Sequence, residues 1–66
     1  MNDWKELHRV LLVDYQHTKN AVSWCEQSLK PEDWSVEYFE NNDCFYFTSK
    51  TKCGMFMFVN GGKYNT

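Results

Sequence analysis

Two histidines and three cysteines, His8, His17, Cys25, Cys44 and Cys53, are the side chains with the chemistry to hold a metal or attack a substrate. Structural zinc sites draw on closely spaced ligand pairs, and no Cys-x-x-Cys or His pair of that kind occurs in the sequence. Asp14 and His17 stand three positions apart, so on a helix they would meet on one face, as an acid and an imidazole must to share a proton. No nucleophile elbow or phosphate-binding loop accompanies them. A short chain also has little room for a water-excluding pocket. The expectation is no enzyme, no metal and no cofactor, with Cys25 and Cys44 as small core hydrophobes and the histidines on helix surfaces.

The other chemistry is adhesive. Between Cys44 and Val59 the chain reads Cys-Phe-Tyr-Phe-Thr-Ser, then Lys-Thr-Lys, then Cys-Gly-Met-Phe-Met-Phe-Val. Both apolar runs have apolar residues on each side of a strand, where a half-solvated strand would alternate with polar ones. Aromatics and methionines supply large, adaptable contact area. Tyr46, Lys50, Lys52, Met55, Phe56, Met57 and Phe58 are therefore the candidate partner-binding residues. The first partner to expect is another protein chain, either a second copy in a homodimer or a larger intracellular protein. The alternative is single-stranded nucleic acid, stacked on Tyr46, Phe56 and Phe58 and neutralised by the lysines.

Lys52 to Val59 resembles, over eight residues, the strand of RNA recognition modules whose aromatics stack on bases. It departs from that strand's glycine and aromatic register, and the chain reads as having too few elements for the β-α-β-β-α-β order of those modules.

Charge is unevenly distributed. All nine acids lie in residues 1–43 against four bases, a balance of −5, and residues 44–66 carry three lysines and no acid, a balance of +3. Asp33, Glu37, Glu40 and Asp43, with Glu26 and Glu32, could present a negative surface to a basic groove on another protein; the plainer role of such charge is to keep a sticky surface soluble.

These residues need elements to position them. Trp4, Leu7, Leu11, Tyr15, Thr18, Val22, Cys25 and Leu29 recur at three- and four-residue steps and predict a helical region, opened by a cap at Asp3 with Glu6 reaching back. Val10, Val13, Ala21 and Trp24 form a second stripe beside the first. A break is expected within Asp14 to Asn20, whose residues lower helix propensity, and Pro31 closes the region. A rival reading makes Arg9 to Tyr15 a strand, because Val10-Leu11-Leu12-Val13 is short, apolar and partly β-branched, and periodicity does not decide between them. Beyond Pro31 the period becomes two: a strand from Trp34, a turn at Asn41-Asn42-Asp43, a central strand Cys44 to Thr48, a turn at Ser49 to Lys52, and a third strand Cys53 to Val59. Asn60-Gly61-Gly62 ends it, with 61–66 expected as a flexible tail.

The expected fold is thus a single small α+β domain over 1–66, in which an N-terminal broken helix or two short helices pack on a three-stranded antiparallel β-meander. Its third strand is an edge without charge, proline or bulge to blunt it, and it is where a partner is expected. No basic n-region or long apolar stretch is present, so neither a signal peptide nor a membrane span is expected, and the odd cysteine count suits a reducing cytoplasm. Six Asn, six Lys, five Phe and four Tyr against one Ala, one Arg and one Pro point to an AT-rich coding sequence. That bias is frequent in phages and mobile elements, whose small proteins often inhibit a host protein in the host cytoplasm.

Overall fold

Asp14 ends one element and starts the next. Its carboxylate accepts the backbone N–H of Gln16 at 3.1 Å, and its carbonyl accepts that of Thr18 at 2.9 Å, so the orphan amides of a helix are satisfied and the preceding residues are released from helical geometry. The computed structural model describes residues 8–65. In chain order it contains β1 (Arg9–Leu12), α1 (Tyr15–Ser28), a 3-10 turn (Pro31–Asp33), β2 (Trp34–Tyr38), β3 (Asp43–Phe47), α2 (Lys50–Asn60) and β4 (Lys63–Asn65).

The four strands form one antiparallel sheet in the order β2-β3-β1-β4. With a helix after β1 and another after β3, the order of elements is β-α-β-β-α-β, the split β-α-β arrangement, so the expectation of too few elements for that order is overturned. The fold is α+β.

Strand register decides which side chains face the helices. Val10 lies opposite Phe45 on one side and Tyr64 on the other, and Phe45 lies opposite Val36. Side chains alternate across a sheet, so these residues share a face with Leu12, Phe47 and Trp34, and that face packs against Ala21 and Cys25 of α1 and Cys53 and Phe56 of α2. Phe56 is the centre of this layer, with ring centroids 4.7 Å from Phe45, 5.0 Å from Phe47 and 5.9 Å from Trp24.

Four expectations change. Arg9–Leu12 is a strand, as in the rival reading, because pairing with both β3 and β4 gives this short segment partners on each side. Among the described residues the helical region is therefore one helix, α1, and its expected opening at Asp3, Trp4 and Glu6 lies outside the described residues. The segment Cys53 to Val59 is not an edge strand but the body of α2: Ser49 caps it, accepting the N–H of Lys52 at 3.1 Å, and Gly61, at φ 76°, closes it by donating to the carbonyl of Met57 at 2.8 Å. The sheet accordingly has four strands, not a three-stranded meander. Finally, Lys63–Asn65, expected within a tail, extends the sheet as β4 beside β1. The hairpin of Trp34–Tyr38 and Asp43–Phe47 falls close to where alternation and the Asn-Asn-Asp turn put it.

Candidate functional site

α2 divides the residues singled out in the sequence. Cys53 and Phe56 are buried and Met57 packs against the core, a spacing of three and four that marks the inward face of a helix. Met55, Phe58 and Val59 lie on the other side and are 47%, 92% and 56% exposed. Scattered exposed apolar residues are ordinary; three on one face of one helix form a patch. Gly54 sits among them, and a Cβ added there would meet no atom within 4 Å. Its φ is not positive, so the fold itself does not require glycine at this exposed interior position, where alanine would favour the helix by about 1 kcal/mol.

The remaining candidates go elsewhere. Lys50 is exposed in the first turn of α2. Lys52 pairs with Asp33 at 2.9 Å, tying α2 to the turn before β2. Tyr46 lies on the sheet face opposite the helices, 7% exposed, where its hydroxyl donates to Glu37 at 2.7 Å. Burial and that bond hold the phenol well above its usual range. Beside it the Cys44 thiol is also raised, by burial first, opposite to the lowered pKa of a reactive thiolate. The structure thus brings Met55 and Phe58 together and separates both from Tyr46, Phe56 and Lys52.

His17 Nε2 and the carbonyl of Asn60 hydrogen-bond, joining the first turn of α1 to the end of α2. Among the described residues no three histidines, cysteines or acids gather closely enough to share a metal ion, and no helix is long and apolar enough to cross a membrane. The expected acidic surface is broken up: Asp33 pairs with Lys52, Glu37 accepts from Tyr46, and Asp43, 8% exposed, accepts from Thr18 Oγ1 at 2.7 Å. Only Glu26, Glu32 and Glu40 of the six are exposed without being joined in one of these contacts.

No protein-family model, curated protein or solved structure matches the chain. Its sites are therefore read from its own geometry. A second exposed apolar group escaped the sequence reading: Val13, Tyr15, Tyr38 and Phe39, all more than half exposed. Alternation with Trp34 and Val36 puts Tyr38 on the buried side of its strand, yet it is exposed, and what marks the group is the adjacency of Tyr38 and Phe39 to a polar turn.

Proposed function

We propose that this chain is a small protein-binding module that docks on another polypeptide through the outward face of α2. The observation that carries the reading is Phe58, 92% exposed, with the exposed Met55 one helical turn before it and the exposed Val59 next to it in sequence. Aromatic and methionine side chains are enriched where interfaces bury their cores. Gly54 supports it further, because a missing side chain on that face lets a partner's backbone approach closely. The partner is a second copy or a larger protein. Composition adds the narrower reading of a mobile-element product acting on a host protein.

The nucleic-acid alternative needs aromatic faces and cations on one surface. Phe56 is in the core, Tyr46 is bonded to Glu37 under cover, and Lys52 is engaged with Asp33, so the geometry favours the protein partner.

The test places a photo-crosslinking side chain at position 58 and, as a control, at the exposed Gln27 of α1. Irradiation in extract of the native cell should give a discrete protein adduct, or a covalent dimer, from position 58 alone. Equal labelling from both positions, or none from 58, would remove the proposal.

A further inference from the structure

Where the β1–α1 connection meets the β2–β3 turn, two shallow cavities of about 220 and 230 Å³ share the side chain of Tyr15. One runs along α1 past Lys19 and Val22 to Tyr38; the other lies between Val13, Phe39 and the turn. This flank of α1 points away from α2, which α1 meets through His17 and Trp24. The groove is thus separate from the α2 face. Its lining mixes the apolar surfaces of Val13, Val22, Tyr38 and Phe39 with polar groups; its exposed acids are Glu26 and Glu40, Asp43 being buried, and among the described residues the cation lining it is Lys19. That lysine shows what the walls accept, since its ammonium stands 5.8 Å from the centre of the Tyr15 ring, within the range of a cation–π contact.

We infer that this groove receives a basic segment of another polypeptide. Lys or Arg heads lie over the faces of Tyr15, Tyr38 or Phe39 and against Glu40 and Glu26, and their alkyl stems cover Val13. Charge selects the occupant: an acidic segment would meet the exposed carboxylates of Glu26 and Glu40 against the one lysine, Lys19. The groove is held open from beneath, because the bond from Thr18 to Asp43 pins α1 to the start of β3 at the groove floor.

The test titrates the isotope-labelled full chain with a synthetic peptide alternating Lys or Arg with Leu, using a peptide alternating Glu with Leu as control. The basic peptide should give saturable amide shifts confined to residues 13–19 and 38–43. Glu40→Lys should weaken binding by about tenfold or more, as charge reversal in a complementary contact does, and raising salt from about 50 to 300 mM should weaken it several-fold. Phe39→Ser, also at an exposed position, should weaken binding at both salt concentrations, and circular dichroism confirms that both variants stay folded. The inference is overturned if the two peptides bind alike, if shifts are absent or spread over the whole surface, or if Glu40→Lys changes affinity by less than about twofold. A dimer that forms without peptide and is broken by Glu40→Lys would also overturn it, by assigning the groove to a second copy.

Discussion

The hydroxyl of Thr18 donates to the carboxylate of Asp43 at 2.7 Å, with both side chains out of solvent. This bond joins the first turns of α1 to the row of the sheet where Tyr38, Asp43 and Leu12 lie side by side. Thr18→Val keeps the shape and removes the donor, leaving a buried carboxylate short of a partner. The expected cost is about 1–3 kcal/mol in urea unfolding. Adding Asp43→Val to Thr18→Val should recover part of that loss, since removing both partners is gentler than orphaning one, and a double-mutant cycle measures the coupling.

Phe56 and Phe58 are two positions apart and should behave oppositely. Phe56→Ala empties the centre of the aromatic layer and should cost about 3–5 kcal/mol. Phe58→Gln removes a ring that already faces water and should change stability by no more than about 0.5 kcal/mol. Denaturant midpoints for the two variants check this, and similar losses from both would contradict the helical assignment of α2.

The glycines give a second contrast. Gly62 has φ 102°, and a Cβ there would stand 2.5 Å from Val10 Cγ1 and 2.8 Å from Leu12 Cδ2. Gly62→Ala therefore meets both backbone strain and a clash, and should cost more than about 1 kcal/mol. Gly54→Ala meets nothing and should raise stability by about 1 kcal/mol, while weakening any complex made across the outward face of α2. Thermal unfolding of both variants decides it.

Burial lifts the Cys25 thiol from its ordinary 9.0 to about 12, with the charge of Glu26 adding to it, and lifts Cys53 to about 11. A raised pKa means the folded state keeps a proton that the unfolded chain gives up. The contribution is fully present below about pH 9, and it is lost as pH rises from there through 11 and 12. The urea midpoint should fall steadily above pH 9, and replacing both cysteines with alanine should reduce that fall, the raised Cys44 and Tyr46 supplying the rest. Native-state alkylation of either thiol should be slow until the protein is unfolded, because the thiolate is the reacting form.

The sheet's hairpin was legible because its signals are local. Trp34, Val36 and Tyr38 alternate with polar neighbours, and Asn41-Asn42 supplies the turn. Cys53 to Val59 was not, because Phe and Met alternate there as a strand would, and neither residue type settles the matter. The deciding groups lie outside the run, in the Ser49 cap and the Gly61 stop, and in the slot that Phe45, Phe47 and Trp24 make for Phe56. β1 failed for a related reason. Its few residues are apolar in either reading, and the choice rests on partners far along the chain. Of the candidate site, the excess of Met and Phe was visible, but which of Met55, Phe56, Met57 and Phe58 face outward follows only from the helix.

The placement of β1 also governs how the molecule is made. Arg9 pairs with Tyr46 on one side and with Asn65 on the other, so the centre of the sheet closes only across long loops, and chains dominated by such distant pairings fold slowly. During synthesis, Val10, Leu11 and Leu12 leave the ribosome well before either neighbour exists. They remain an unpaired apolar segment until β3 arrives, and that interval is when the nascent chain is most exposed to chaperones or to aggregation.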